Sequence, residues 1–331
     1  MKIGILGAGG WGTALARLLT NNGHQVSLWS WQPDHVAEML AERENSRFLP
    51  GVILPEQLSL TASMPEALSG AQLVVLAVPS SACEETARQA LPFVPKGAIL
   101  LSVAKGFVSK SWKRISQVLE EIYPDHAVAV LSGPSHAEEV GWDKPTLVCV
   151  AGKDNQVLSL IQETFISPKF RVYTNKDIIG VEIAGAVKNV IALGCGILDG
   201  MEQGDNAKAA LMTRGLAEME RLGVKMGANP QTFRGLSAVG DLIVTCTSCH
   251  SRNYRAGRRI GQGESWRQIL QGTEMVVEGV YATEGTYALS QQYQVYMPIT
   301  QQLYGILYHD CPLEKAMDEL MTRIPTAELN D

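Results

Sequence analysis

Long apolar runs are missing from this 331-residue chain. No uninterrupted stretch approaches the roughly 18 residues that mark a membrane span, so no transmembrane helix is expected. Charge is also sparse. Charged residues are 19% and hydrophobic residues 46%, a balance that excludes a disordered chain. Positive charge is the scarcer sign: 28 Lys and Arg stand against 34 Asp and Glu, for a net charge of −6. That removes any general attraction to nucleic acid or an anionic membrane, so an anionic ligand needs a local cationic pocket. Cysteine is scattered, at positions 83, 149, 195, 246, 249 and 311. Cys246-Thr-Ser-Cys249-His250 fits a haem-attachment pattern, but covalent haem attachment requires export. A zinc site requires more ligands, and no second C-x-x-C pair exists, so no metal is expected. A thioredoxin-like pair belongs near the first βαβ unit, not here. Reduced thiols in a cytoplasmic protein are the expectation.

The opening MKIGILGAGGWGTALA resembles a secretory signal in carrying one lysine, an apolar stretch and the small-residue end Ala14-Leu15-Ala16. Five glycines interrupt that stretch and Arg17 follows at once, so it reads better as folded structure. Glycine is in fact abundant, 31 of 331 residues, about 9% against a typical ~7%. Such an excess marks sharp bends or close approaches of backbone to a partner.

The chain length corresponds to about two domains. Lys2–Leu6 reads as a buried strand, Gly7-Ala8-Gly9-Gly10-Trp11-Gly12 as a loop, Thr13–Asn22 as a helix and Gln25–Trp29 as a second strand. Further apolar runs at Leu73–Val78, Ile99–Val103, Ala127–Leu131 and Thr146–Ala151 suit parallel strands covered on both faces. The first half is therefore a Rossmann-like, doubly wound α/β sheet. After about Tyr173 the pattern turns helical, with helices expected at Ile178–Asp199, Asn206–Leu222, Thr286–Gln292, Ile299–Tyr308 and Leu313–Met321. The expected division is a dinucleotide-binding domain over 1–177 and an all-helical substrate domain over 178–331.

In the loop, Gly7 permits the tight turn, Gly9 lets backbone approach a pyrophosphate, and Gly12 lets helix pack on strand. The helix N-terminus adds N–H donors for phosphate oxygens. An Asp or Glu about 20 residues further on would select NAD(H) through the ribose 2′-hydroxyl. The second strand instead ends Trp29-Ser30-Trp31-Gln32-Pro33, with no acid and no Arg at that place and Arg43 and Arg47 only later; the missing acid removes repulsion against a 2′-phosphate and favours acceptance of NADP(H) without excluding NAD(H). Lys188 sits in an otherwise apolar helix, where a buried cation is costly and a proton-transfer role becomes attractive. Lys105 and Gly133-Pro134-Ser135 follow strands, at the sheet edge where such folds bind ligands. Ser251-Arg252-Asn253 begins a basic cluster whose guanidinium fork suits a phosphate. With no aromatic interleaving beyond Tyr254, the cluster does not read as a nucleic-acid surface.

Taken together, GAGGWGTALA (7–16), FLPGV (48–52), AVPS (77–80), AKGF (104–107), LSGPSHAEEV (131–140), VEIAGAVKNVIALGCGILDG (181–200), TRGLAEM (213–219), GDLIVTCTSCHSRNYRAG (240–257) and VVEGV (276–280) resemble the bacterial NAD(P)-dependent sn-glycerol-3-phosphate dehydrogenases over nearly the whole chain. The resemblance implies reversible oxidation of sn-glycerol 3-phosphate to dihydroxyacetone phosphate, which supplies glycerophospholipid backbones. It implies Lys188 as general acid/base, with Lys105 and Asp241 beside it. It places the coenzyme on Gly7, Gly9, Gly10, Trp11, Gly12, Trp31, Lys105, Ala137, Arg252, Val276 and Glu278. The substrate falls to Lys105, Gly133, Ser135, Lys188, Asn189, Asp241, Ser251, Arg252 and Asn253. Burial and Lys105 would lower the pKa of Lys188 while Asp241 would raise it, and the sequence leaves that balance open. Two positions depart from the family. His136 stands where Phe is common and reads as a packing or surface residue, and Trp31 replaces a common Arg or His. The expected partner is a small phosphate ester, with no nucleic acid and no membrane insertion; a homodimer is the assembly left open. The rivals are a β-hydroxyacid or phosphogluconate dehydrogenase, and a nucleotide-sensing regulator that binds without turnover.

Overall fold

A computed structural model describes residues 1–272, 276–325 and 327–328. The strands are β1 (Lys2–Leu6), β2 (Gln25–Trp29), β3 (Glu44–Asn45), β4 (Leu49–Ile53), β5 (Ser59–Thr61), β6 (Leu73–Leu76), β7 (Ile99–Ser102), β8 (Val128–Ser132), β9 (Thr146–Gly152) and β10 (Phe170–Asn175). Eight of them form one sheet in the order β10-β9-β8-β7-β6-β1-β2-β5, and β3 and β4 pair as a small hairpin. The order reverses direction at β1 and β6, the switch point where open α/β sheets bind ligands beyond their strand carboxyl ends.

The apolar runs are continuous because both faces are covered. Ile3, Ile5, Leu73, Val75 and Leu101 pack into one core layer. Their neighbours Leu6, Val74, Leu76 and Leu100 pack into the other. Helices α1 (Gly10–Asn21) and α2 (Pro33–Glu42) cover the first face. Helices α3 (Met64–Leu68), α4 (Cys83–Ala90) and α5 (Ile115–Ile122) cover the second. A short α6 (Ala137–Gly141) leads into β9, and α7 (Asn155–Phe165) adds Leu158, Ile161 and Phe165 to the first layer.

The all-parallel expectation fails at one place. Strand β9 pairs antiparallel with β8, and β10 then pairs parallel with β9. A doubly covered strand looks the same in either direction, since only the connection decides it. Strand β10, not expected from the sequence, alternates buried and exposed residues at the sheet edge, with Phe170 and Val172 inward and Arg171 and Tyr173 outward.

Helix α8 (Ile178–Gly200) organises the remainder. It is apolar on every side and buried on every side, the pattern of a core helix. By length and composition alone α8 could cross a membrane, yet 89% of its most apolar stretch is buried in the protein, as in a core helix. It packs against α9 (Gly204–Lys225), α10 (Asp241–Thr247) and α11 (Arg252–Gly261). Helices α12 (Trp266–Gln271), α13 (Glu278–Gln292), α14 (Pro298–Tyr308) and α15 (Leu313–Met321) complete the chain. Each Leu, Ile or Val that α8 buries contributes on the order of 1.5–3 kcal/mol. Glycine explains how near α11 comes. A Cβ at Gly196 would lie 2.1 Å from the Tyr254 carbonyl oxygen, and one at Gly257 would lie 2.1 Å from that of Leu193.

Five helices expected after Ile178 are present, and α9 and α13 start earlier than expected, at Gly204 and Glu278. Helices α10, α11 and α12 are additional. Polar contacts fasten α8 and α13 to the sheet half. Glu182 accepts from Arg114 Nη1 at 2.6 Å and from the Ser116 N–H at 2.9 Å. Glu278 accepts from the Ser80 N–H at 3.0 Å and from its hydroxyl at 2.6 Å.

Candidate active site

Five consecutive loops leave the carboxyl ends of β1, β2, β6, β7 and β8 and line a cleft of about 600 Å³, closed on its other side by α8, α10 and α11. At the β1 end, Gly7 has φ +118°, a backbone state that a side chain strains. A Cβ at Gly12 would stand 2.0 Å from the Gly7 carbonyl oxygen, so α1 can reach the strand only with glycine there. A Cβ at Gly9 would meet nothing within 4 Å, since its free side is the cleft. Helix α1 begins at Gly10 without a side-chain cap, which leaves its first N–H groups for a ligand. The buried Trp11 Nε1 has no hydrogen-bond partner among the described residues. An uncapped helix end, an orphaned donor and an open glycine fit a dinucleotide pyrophosphate.

The end of the cleft beside β2 is formed by Ser30, Trp31, Gln32, His35, Arg47 and Phe48. Trp31 is 72% exposed, an indole face lying open at the rim. Arg43 turns away to the Pro55 and Leu58 carbonyls, whereas Arg47 lines the cleft and pairs with Glu38. Asn45 holds this wall in place, its amide donating to the Ala8 carbonyl at 2.9 Å and to the Thr13 hydroxyl at 2.8 Å. Of these residues, Arg47 and Phe48 arrive from the β3–β4 hairpin, which strand spacing alone did not reveal.

At the other end lies a charged cluster. A π-helical turn over Leu236–Gly240 delivers Asp241 to the start of α10. Its Oδ2 accepts from Lys105 Nζ at 2.7 Å, and its Oδ1 pairs with Lys188 Nζ at 3.0 Å. Lys188 also donates to the Thr245 hydroxyl at 2.7 Å, and Lys105 to the Gly133 carbonyl at 2.8 Å and Ser135 Oγ at 3.3 Å. Thr245 was not singled out in the sequence, although it lies four residues after Asp241 and so on the same helical face. Lys188 is only 5% exposed. Burial drives its pKa down, Asp241 pulls it back up and Lys105 lowers it again, leaving it at about 8. The balance the sequence left open thus falls on the side of burial. Burial would raise the Asp241 carboxyl, but the charges and hydrogen bonds of the two lysines hold it below the usual range.

Asn189 and Asn253 line the same end but are largely committed to each other. Asn253 Nδ2 donates to Asn189 Oδ1 at 2.8 Å, the Gly279 N–H donates to Asn253 Oδ1 at 2.8 Å, and Asn189 Nδ2 donates to the Lys105 carbonyl at 2.9 Å. Ser251 caps α11 by accepting from the Tyr254 N–H at 3.2 Å. Arg252, the first residue of α11, opens into the cleft and makes no side-chain hydrogen bond among the described residues. Burial lowers the Arg252 pKa, and the nearby Glu278 and Glu138 carboxylates oppose that. Burial raises the Glu278 carboxyl against its two Ser80 hydrogen bonds. Ala137 and Val276 complete the lining. Gly12 and Gly133 do not line the cleft; they shape its walls, Gly133 by holding Lys105 and Ser135 through its carbonyl. His136, read from sequence as a packing or surface residue, is a cleft residue.

Comparison with known proteins gives two family matches. The family described as NAD-dependent glycerol-3-phosphate dehydrogenase N-terminus matches residues 2–158, and the corresponding C-terminus matches residues 177–318. Curated relatives from Bacillus velezensis and Bacillus subtilis, both called glycerol-3-phosphate dehydrogenase [NAD(P)+], are each 50% identical, with 100% of this chain and 96% of the relative covered. The crystal structure of glycerol-3-phosphate dehydrogenase from Coxiella burnetii superposes with a TM-score of 0.94 at 40% identity, covering 97% of this chain and 99% of that one.

Proposed function

The chain belongs to the NAD-dependent glycerol-3-phosphate dehydrogenase family, and on that premise we propose that it interconverts dihydroxyacetone phosphate and sn-glycerol 3-phosphate with NAD(P)(H). Reduction would supply glycerophospholipid backbones. The observation that carries the reading is the buried Lys188–Asp241–Lys105 cluster at the end of a dinucleotide cleft, with an uncommitted Arg252 beside it. In the same proposal residues 1–177 hold the coenzyme and 178–331 complete the substrate site. In the same proposal the protein works in the cytoplasm, where its scattered thiols would stay reduced.

When bound, the coenzyme supplies or accepts the hydride. Lys188, as the ammonium, donates a proton to the C2 oxygen of dihydroxyacetone phosphate as that oxygen becomes an alkoxide. The neutral amine takes the proton back in the oxidative direction. A pKa of about 8 makes both forms available near neutral pH. Asp241 fixes the Nζ and keeps it from losing its proton altogether. Lys105 sits at the same carboxylate and adds positive charge where the oxyanion develops. Arg252 presents a planar fork to the phosphate, helped by the Ser251 hydroxyl and the remaining N–H of Asn253. Trp11, the N–H groups opening α1 and Gly9 receive the pyrophosphate, while Trp31 offers a face to the adenine.

The test measures coenzyme oxidation with dihydroxyacetone phosphate and a panel of β-keto acids, using NADPH and NADH in turn, and coenzyme reduction with a sugar-acid phosphate, using NADP+ and NAD+. Turnover confined to dihydroxyacetone phosphate supports the proposal. Turnover confined to the panel points to the β-hydroxyacid rival. Coenzyme binding with no turnover on any substrate points to a sensing role.

A further inference from the structure

A dinucleotide with a 2′-phosphate is held at two points, its pyrophosphate by the glycine loop and its extra phosphate by a cation. The second hold works only if the cation keeps a fixed spacing from the loop. Arg47, which lines the cleft beside β2, stands in the turn between β3 and β4. That hairpin is a two-stranded element outside the main sheet, and such a ribbon has little rigidity of its own. Its position must be set by contacts to the loop.

Asn45, the last residue of β3, makes those contacts and is only 1% exposed. The hairpin register shifts between Glu44 and Asn45, an irregularity of the kind that re-aims a side chain. The Asn45 Nδ2 donates to the Ala8 carbonyl of the glycine loop at 2.9 Å and to the Thr13 hydroxyl of α1 at 2.8 Å. A carbonyl only accepts, so Ala8 fixes which way the amide points. Asn45 Oδ1 then accepts from the Phe48 N–H at 3.3 Å, across the turn that holds Arg47. It also stands 2.9 Å from His35 Nε2 on α2, which therefore donates to it. His35 Nδ1 lies 3.2 Å from the hydroxyl of Ser30, which follows β2 and lines the cleft. One amide thus uses both donors and both acceptor positions to join the loop, α1, α2 and the hairpin. Packing agrees, since a Cβ at Gly10 would lie 2.7 Å from the Phe48 carbonyl oxygen, so the turn rests on the first residue of α1. Arg47 is bracketed by two residues held in this way, Asn45 before it and Phe48 after it. Asn45 itself does not line the cleft.

We propose that Asn45 is a positioning residue for coenzyme choice: it keeps Arg47 in register with the glycine loop and so sets the preference for a 2′-phosphate without touching the coenzyme. The proposal rests on the coenzyme reading above. Aspartate at this position would lack the donors, and leucine would lack every polar contact.

The experiment is a double-mutant cycle read by binding. Dissociation constants for NADPH and NADH are measured from nucleotide fluorescence for the unaltered protein, Asn45→Ala, Arg47→Ala and the double variant. Asn45→Ala is expected to lower the NADPH-over-NADH preference about 5-fold, much of what one charge-assisted contact provides. In the Arg47→Ala background the same change should leave that preference within about 2-fold, because no cation is left to misplace. Equal weakening of both coenzymes by Asn45→Ala would overturn the assignment, as would a loss of preference just as large without Arg47. Should Asn45→Ala not fold, Thr13→Val removes one Asn45 partner at constant shape and should lower the preference about 2-fold or more. Thr13→Ser, which keeps the hydroxyl, should retain it, and identical constants for the two Thr13 variants would overturn the assignment. An Arg47→Ala protein with an unaltered preference would show that Arg47 does not read the 2′-phosphate, and this assignment would fall while the coenzyme reading stands. Binding of neither coenzyme by the unaltered protein would overturn the coenzyme reading itself.

Discussion

Lys188 Nζ lies 3.0 Å from Asp241 Oδ1, and the two side chains are 6% and 2% exposed. Neither could be buried alone, because an unpaired ion in this environment is too costly. The pair persists because Lys105 occupies the second carboxylate oxygen and Thr245 the lysine, so each charge is met by hydrogen bonds.

The pH dependence follows from the depressed lysine. Reduction requires the ammonium, so kcat for dihydroxyacetone phosphate reduction should stay level below about pH 8 and fall above it. Oxidation requires the neutral amine, so that rate should rise through the same region and level off above it. Initial rates in both directions across pH 6–10 check the opposite signs, and parallel profiles would refute the assignment.

Replacing Asp241 by Asn should move the reduction profile. The carboxylate raises the Lys188 pKa, so its loss lets burial and Lys105 lower that pKa further. The reduction limb should therefore break at lower pH, with kcat down by about 10²-fold or more as the ammonium loses its anchor. A profile that keeps its midpoint would show that Asp241 does not set the lysine's charge.

Coenzyme choice should rest on Arg47. No acid ends β2, and Arg47 is the cation lining the cleft beside Trp31, from where it can leave Glu38 for a 2′-phosphate. Arg47→Ala should raise KM for NADPH about 10-fold and leave KM for NADH within about 2-fold, the scale of one charge-assisted contact. Trp31→Ala should weaken both coenzymes alike. Steady-state KM values for the two coenzymes decide it.

Two neighbouring glycines should fail in different ways. Gly9→Ala meets no protein atom within 4 Å, so Tm should hold while the KM for coenzyme rises. Gly12→Ala drives a methyl into the Gly7 carbonyl at 2.0 Å, so it should lower stability by about 1–3 kcal/mol and Tm by several degrees. Thermal melts beside coenzyme titrations separate the two.

Much of this was legible in the sequence because local rules and global fold agree there. Strand β1, the glycine loop, α1 and β2 follow one another at βαβ spacing, and the bounds of α8 were read to within one residue because Asp177 caps it and its apolar pattern runs to Leu198 with few polar interruptions. The direction of β9 was not legible, since burial on both faces erases the difference between parallel and antiparallel. Helix α11 was hidden by composition: RNYRAGRRIG carries four arginines, and its buried face is made of Asn253, Ala256, Gly257 and Ile260. Arg47 and Thr245 could be placed in the cleft only once the hairpin and α10 were known. The pKa of Lys188 depends on burial against two charges of opposite sign, a sum that no spacing in the sequence contains.

The most direct measurement is the rate of NADPH oxidation at saturating dihydroxyacetone phosphate by Lys188→Met, a replacement of similar length that suits the buried site. The expected result is a fall in kcat of about 10²- to 10⁴-fold, the share owed to a positioned acid, with NADPH affinity within about 2-fold of the unaltered protein. Near-normal turnover by Lys188→Met would contradict the assignment of the proton-transfer step to this lysine.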